Sequence, residues 1–149
     1  MHAQSIRETF RFLNKLTVSE LDLFLSFCEH RQVSQGTTLW HEGDADYYAA
    51  FILRGKLVLK KKTEFGSRQL IVGIHAQGSL VGENNLLAPD PRPVSAEAIE
   101  TTDLIILQQT RFEALLVQAP QIGMQLLKQI SISTSMRLTQ SYDRLAAIF

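Results

Sequence analysis

The sequence has little cysteine, no excess of either charge and no long apolar run. Its single cysteine, Cys28, cannot form an intramolecular disulfide or supply a cysteine-based zinc or iron–sulfur site alone. Lysine and arginine number 15, as do aspartate and glutamate, which excludes a basic excess for general binding of nucleic acid. No apolar run approaches the ~18 residues of a transmembrane helix, and Met1-His2-Ala3 begins no signal peptide. We therefore expect a cytoplasmic protein without a membrane segment.

The order of predicted elements indicates a mainly β domain with helices at both ends. At about 100–200 residues per domain, residues 1–149 are predicted to form a single domain. Helical spacing predicts N-terminal helices over about 1–30 and C-terminal helices over 110–149, the last one long and beginning near Pro120. Between them, residues 31–109 hold short runs separated by turn signals, as in a β sandwich or barrel. Six runs predict strands, at 38–40, 47–53, 56–61, 69–74, 94–99 and 103–107, and the third and fourth predict a hairpin.

One segment, 82–96, is polar and punctuated by glycine in a way that core packing does not require. Gly82 and the residues after it predict one helical turn, whose free N–H groups attract an anion. Arg92 follows ten residues after Gly82, near enough to bring a planar cation to the same anion. Glu83 has a carboxylate that accepts a hydrogen bond from a ligand hydroxyl. From these residues alone, an anion-binding loop and a surface loop with a Glu–Arg salt bridge both remain open.

This segment resembles the phosphate-binding cassette of cyclic-nucleotide-binding domains, among them the sensor domains of regulators related to the catabolite activator protein and FNR. The family pattern is Gly-Glu, two residues, two aliphatics, a short gap, Pro-Arg, two small residues and Ser or Thr. The matching positions are Gly82, Glu83, Leu86, Leu87, Pro91, Arg92 and Ser95, preceded by glycines in the family's order at Gly36, Gly43, Gly55 and Gly78. The resemblance covers about residues 10–145 and implies an eight-stranded β-roll, or double-stranded jelly roll, with N-terminal helices and a long C-terminal helix.

The resemblance also implies roles for individual residues. Arg92 would pair with the cyclic phosphate, and Glu83 would bind the ribose 2′-hydroxyl. The N–H groups of Asn85 and Asn84 would donate to phosphate or sugar, and the long helix would close over the base. The ligand-binding set implied in this way is Gly82, Glu83, Asn84, Asn85, Arg92, Pro93, Ser95, Ser141 and Tyr142.

One position departs from the family pattern. The residue after the cassette arginine is usually Ala, Ser or Thr, whose N–H donates to the phosphate, but here it is Pro93, which has no N–H. The loss of one charge-assisted hydrogen bond costs about 1.5–3 kcal/mol. Pro93 also lacks the hydroxyl that often accompanies cGMP preference in the family, so cAMP is the expected ligand. The alternative is an interaction or dimerisation domain that keeps the fold and binds another ligand or none.

Other signals point away from catalysis. The four histidines, His2, His30, His41 and His75, form no metal-binding pair, and no nucleophile–base arrangement is visible, so we expect no enzyme, cofactor or metal site. Relatives that regulate transcription carry a helix-turn-helix after the long helix. This sequence stops at Phe149, so we expect no direct DNA binding by this chain.

The long helix carries apolar residues at heptad spacing, among them Met124, Leu138 and Leu145. This spacing favours a homodimer through the helix, while packing on its own β-roll alone remains the alternative. The sequence thus predicts a non-catalytic module that binds a cyclic nucleotide and signals through its C-terminal helix. In such a module, Arg92→Ala is expected to abolish the response and leave the fold intact.

Overall fold

Helices occupy both ends of the chain in the computed structural model, which describes residues 3–149 and side chains from Ser5 onward. Met1 and His2, and with them the expectation that His2 takes part in no metal site, fall outside the described residues. In chain order the helices are α1 (Ala3–Thr9), α2 (Val18–Ser26), α3 (Asn84–Leu87), α4 (Gln109–Gln118) and α5 (Pro120–Ile148), with a 3-10 helix over Arg11–Lys15. Between residues 3 and 149, no helix is both long and apolar enough to cross a membrane.

Local sequence signals set the ends of these helices. Thr17 Oγ1 accepts a hydrogen bond from Glu20 N–H at 3.1 Å, and the Glu20 carboxylate accepts one from Thr17 N–H at 3.0 Å, which caps the start of α2. Pro120 begins α5, as predicted. The predicted helical segment up to residue 30 is wrong at its end, because α2 stops at Ser26 and a strand begins at Glu29.

Within residues 3–149, eight strands form two antiparallel four-stranded sheets, which confirms the predicted jelly roll. The strands are β1 (Glu29–Val33), β2 (Thr38–Trp40), β3 (Tyr48–Arg54), β4 (Lys56–Lys62), β5 (Gln69–Ala76), β6 (Leu80–Val81), β7 (Ser95–Ala98) and β8 (Thr102–Gln108). The first sheet has the order β1-β8-β3-β6 and the second β2-β7-β4-β5. The predicted hairpin is β4–β5.

The sequence patterns did not predict β1 and β6, each for a physical reason. β1 is an edge strand with only Val33 buried, so it shows no apolar run or alternation. β6 is only two residues long and pairs with Ala50 and Phe51 of β3. Neither strand is therefore visible as a periodic pattern.

The central strands of the first sheet, β3 and β8, are buried on both faces. In β3, Ala49, Phe51 and Leu53 pack in a cluster with the N-terminal helices, α4 and α5, while Tyr48, Ala50 and Ile52 pack in a second cluster between the two sheets. This explains the continuous apolar run of β3, since successive strand residues face opposite sides. β3 thereby brings the second cluster into contact with the segment 82–96.

Candidate functional site

The segment 82–96 begins at a position that only glycine can occupy. Gly82 has φ +73°, and a Cβ there would lie 2.5 Å from Arg92 Nη1 and 2.9 Å from the Trp40 ring. The positive φ strains any L side chain, and the two contacts leave no room for one. α3 follows as a single turn, as predicted, and Asn85 Nδ2 donates to the Asp90 carbonyl at 2.8 Å, which closes the loop after it.

The turn after β2 holds the backbone of Arg92. Arg92 N–H donates to the Asp44 carbonyl at 2.9 Å, and Gly43 N–H donates to the Arg92 carbonyl at 2.7 Å. The Ser95 hydroxyl accepts a hydrogen bond from Glu42 N–H at 2.8 Å. Glu42-Gly43-Asp44 therefore fixes the position from which the Arg92 side chain enters the fold.

The Arg92 side chain is buried and stacked between aromatic rings. It is 1% exposed, and its guanidinium carbon lies 3.7 Å from the centre of the Trp40 ring and 4.9 Å from that of Tyr48. Nη2 donates to the Tyr48 carbonyl at 2.7 Å and Nη1 to the Gly82 carbonyl at 3.4 Å. Burial lowers the pKa of Arg92, and nearby Asp46 opposes that shift. Nε is buried and finds no acceptor among the described residues, so one donor of the cation remains unpaired.

The Glu83 carboxylate is bound by an arginine of α5. Glu83 is 3% exposed, and its Oε1 accepts a hydrogen bond from Arg137 Nη1 at 2.5 Å. Arg137 Nη2 donates to the Leu80 carbonyl in β6, just before the segment. One side chain thus ties the long C-terminal helix to β6 and to the start of α3.

These residues surround a cavity of about 80 Å³. Six predicted site residues line it: Gly82, Glu83, Asn84, Asn85, Arg92 and Pro93. Four further residues complete its wall: Trp40, Leu59, Val94 and Arg137. The structure therefore brings together both predicted charged groups, one cation and one anion, at a single small cavity.

Three predicted site residues do not line this cavity. Ser95 is buried beside it with its hydroxyl bonded to Glu42 N–H. Ser141 donates to the Arg137 carbonyl within α5, and Tyr142 is 59% exposed. The N–H of Asn85, expected to meet the ligand, donates to the Gly82 carbonyl at 3.1 Å.

Trp40 and Arg137 line the cavity and were not predicted as site residues. Trp40 packs in the β-roll with its indole N–H bonded to the Val94 carbonyl at 3.0 Å, and it also stacks on Arg92. Arg137 is the only charged residue between Lys128 and Asp143. A lone cation in a long uncharged helical segment is the signal that would have found it.

A wider groove lies away from this site, between the N-terminal helices and the first sheet. Its volume is about 640 Å³, and Ile6, Leu25, Cys28, His30 and Asp103 are among its lining residues. Burial raises the pKa of Cys28 to about 12, so the thiol stays protonated and unreactive at neutral pH. Within the described part of the chain, no group of three or more His, Cys, Asp or Glu side chains is arranged to hold a metal ion.

Known proteins are similar to this chain in sequence and in fold. Residues 30–119 match the cyclic nucleotide-binding domain. The cyclic AMP receptor protein of Thermus thermophilus is 31% identical over 108 residues, covering 72% of this chain and 50% of that protein. A lysophospholipase of Neosartorya fischeri is 30% identical over 105 residues, covering 69% of this chain and 7% of that enzyme.

A solved structure extends the similarity to nearly the whole chain. The crystal structure of a cyclic nucleotide-binding domain from Methylobacillus flagellatus matches 99% of this chain and 85% of its own, with a TM-score of 0.86 and 23% identity. This chain spans half the length of the Thermus relative and a small part of the fungal one. The jelly roll, the glycine-led cassette and the match over 30–119 agree, and the chain belongs to the family of cyclic nucleotide-binding domains.

Proposed function

We propose that this chain is a regulatory, non-catalytic module that binds a cyclic nucleotide between Arg92 and Glu83. The observation that carries the proposal is the pair of buried opposite charges on one cavity, with Arg92 1% and Glu83 3% exposed. Burial of charged groups is costly, so a fold keeps them in a cavity wall where a ligand or a partner compensates them. The unpaired Nε of Arg92 marks a donor that such a ligand can use.

The chemistry of the two groups fits the two polar parts of a cyclic nucleotide. A guanidinium donates several parallel hydrogen bonds and matches a phosphodiester anion. A carboxylate accepts from a sugar hydroxyl, and Glu83 uses Oε1 for Arg137. Leu59 and Trp40 add apolar surface to the same wall, which suits the body of a nucleoside.

Among cyclic nucleotides, cAMP is the ligand we propose. Pro93 lines the cavity and offers no hydroxyl to a guanine base. The Thermus relative is named for cyclic AMP. Both points favour cAMP over cGMP at this site.

A second candidate is an interaction domain that keeps the fold without a nucleotide. The observation in its favour is that both charged groups of the site, Arg92 and Glu83, already have internal partners. Two nitrogens of Arg92 bind carbonyls, Glu83 binds Arg137, and the cavity is about 80 Å³. A ligand of nucleotide size needs a pocket of roughly 300 Å³ or more.

Titration calorimetry with cAMP and cGMP separates the two candidates. We expect cAMP to bind, cGMP to bind more weakly, and Glu83→Gln to lose affinity because the neutral amide is a weaker acceptor for the ribose hydroxyl. Glu64→Gln, on the exposed turn between β4 and β5, is the matched control and should bind as the parent does. No heat with either nucleotide at millimolar concentration would reject nucleotide binding and leave the interaction domain.

We also propose that the module forms a homodimer through α5. Leu138, Tyr142 and Leu145 are 50–59% exposed and lie on one side of the helix. Arg144, on another side of the helix, donates to the Val72 carbonyl at 3.4 Å, which places α5 next to β5. β5 is an edge strand with Ile71 and others exposed, and the exposed apolar residues of helix and strand suit contact with a second copy.

A further inference from the structure

We propose that the wide groove between the N-terminal helices and the first sheet binds an apolar dipeptide with free ends. The ammonium group of the dipeptide binds at Asp103, and its carboxylate binds at Arg54. The groove shares no lining residue with the cassette cavity, so this second site does not depend on nucleotide binding.

The floor of the groove is apolar and already formed. Ile6 of α1, Leu25 of α2, Leu53 of β3 and Ile105 of β8 line it, and all four belong to or pack against the cluster that joins the sheet to the helices. The groove has a volume of about 640 Å³, within the roughly 300–1,000 Å³ of pockets that take small ligands. Because four separate elements supply the floor, apolar side chains of a ligand can cover it without any rearrangement of the core.

Two opposite charges lie on the rim of the groove and do not neutralise each other. Arg54, at the end of β3, is directly opposite Asp103 of β8 in the strand pairing. Opposite charges at such positions attract each other, yet within the described part of the chain the exposed Arg54 side chain makes no hydrogen bond or ion pair. Its guanidinium is therefore open to a carboxylate from outside the chain, which it matches in geometry.

The Asp103 carboxylate is oriented by its neighbours but retains a free oxygen. Its Oδ1 accepts a hydrogen bond from Gln32 Nε2 at 2.9 Å, and His30 Nε2 lies 3.9 Å from the same oxygen. Oδ2 has no partner among the described residues. Glu29 also lines this side of the groove, with its carboxylate paired to Arg31. An ammonium group carries three donors, so it suits an acidic position where one carboxylate oxygen is still unused.

The spacing of the strands sets the length of the ligand. The groove crosses β3, β8 and β1, which are neighbours in that order. Strands lie about 4.8 Å apart, so the cation on β3 is about 5 Å from the acidic residue on β8 and about 10 Å from the one on β1. Two extended residues span at most about 7 Å, which lets the two ends of a dipeptide reach both charges. Its side chains then lie over the apolar floor.

The first test changes the ligand and leaves the protein as it is. Titration calorimetry of the full chain compares the dipeptide Leu-Leu with its C-terminal amide, its N-acetyl form and Gly-Gly. We expect Leu-Leu to bind, each blocked form to bind about tenfold more weakly, and Gly-Gly to give no heat. No heat with Leu-Leu at millimolar concentration would overturn the site, and equal affinity for all three leucine ligands would overturn the roles of the two charges.

The second test assigns each charge to its end of the ligand. Arg54→Gln should weaken Leu-Leu binding about tenfold and leave the affinity for the amide unchanged, because the amide has no carboxylate to lose. Asp103→Asn should do the same for Leu-Leu and leave the affinity for the N-acetyl form unchanged. Arg68→Gln and Asp143→Asn remove the same charges at exposed positions outside the groove and should bind as the parent does.

The variants also locate the binding site. If Leu-Leu binds the parent, Arg54→Gln and Asp103→Asn with equal affinity, it binds elsewhere on the chain and the proposal is wrong. The melting temperature of each variant checks that it is folded. Should Asp103→Asn fail to fold, the blocked dipeptides still test the acidic end of the groove on the parent chain.

Discussion

At the scale of single residues, Arg92 has a structural role as well as a place in the proposed site. The sequence presents it as a loop cation, free to meet an anion. In the structure its guanidinium is packed on Trp40 and bonded to the carbonyls of Tyr48 and Gly82. The side chain therefore links the loop 88–94 to β2, β3 and the start of the cassette.

This burial changes the expectation that Arg92→Ala spares the fold. Truncation leaves two carbonyls without their donor and opens a cavity against Trp40, so we predict a loss of about 3 kcal/mol in the free energy of unfolding. Urea denaturation measures it. Arg68→Ala, at an exposed position, should change the same quantity by no more than about 0.5 kcal/mol. Equal free energies of unfolding for the two variants would show that the Arg92 side chain does not stabilise the fold.

At the scale of elements, exposure differs sharply between strands and along α5. β3 and β8 are buried on both sides, whereas β5 is exposed along most of its length. The first half of α5 buries Ile122, Leu126 and Ile130, while apolar residues in its second half remain exposed. The exposed half is the part that also carries Arg137, so the proposed dimer surface and the contact with Glu83 lie on the same stretch of helix.

The dimer proposal leads to a prediction for Leu145→Arg. We expect the parent chain to have twice the monomer mass of 16.8 kDa in light scattering, and the variant to have the monomer mass, because a charge cannot be buried in an apolar interface unpaired. Asp143→Arg introduces the same side chain on another side of the helix and should leave the dimer intact. A parent chain that is monomeric at high concentration would contradict the proposal.

At the scale of the whole molecule, several titratable groups with shifted pKa values make stability depend on pH. The pKa of His75 is lowered from 6.5 to about 4, so between these values the unfolded chain takes up a proton that the folded chain does not. Stability is therefore lost as pH falls through this window. The backbone hydrogen bond from Lys62 lowers the pKa of Glu42, which extends the loss below pH 4.5. Burial raises the pKa of Asp46, which acts in the opposite direction.

We predict that His75→Gln reduces the fall in melting temperature between pH 6.5 and pH 4. A side chain that does not titrate cannot take up the proton in the unfolded state, so the linked loss disappears. Thermal unfolding at several pH values in that window measures the effect. His41→Gln, which removes an exposed ring, should follow the parent curve. If the melting temperatures of the parent and His75→Gln fall equally between pH 6.5 and pH 4, His75 is not the group that causes the loss of stability.

Much of the architecture was predictable because it depends on local patterns. Thr17 and Glu20 form a capping box, Pro120 begins the long helix, and the β4–β5 hairpin follows its turn signal. β1 and β6 were not predictable, since one is a polar edge strand and the other has two residues. Each of them pairs with a strand that is distant in sequence, so only the assembled sheet shows that these residues form strands.

The candidate site divides in the same way. The sequence by itself determined the cassette, because Gly82, Glu83 and Arg92 are close along the chain and only glycine fits the φ of +73°. Only the tertiary structure decided that Arg137, 54 residues from Glu83, holds its carboxylate and that Trp40 stacks on Arg92. The single cysteine and the balanced charge of the sequence excluded a disulfide, a cysteine-based metal site and general binding of nucleic acid, but they located no binding site. Folding places two of those balanced charges, Arg92 and Glu83, at one buried cavity, because contacts between distant segments depend on packing and not on spacing.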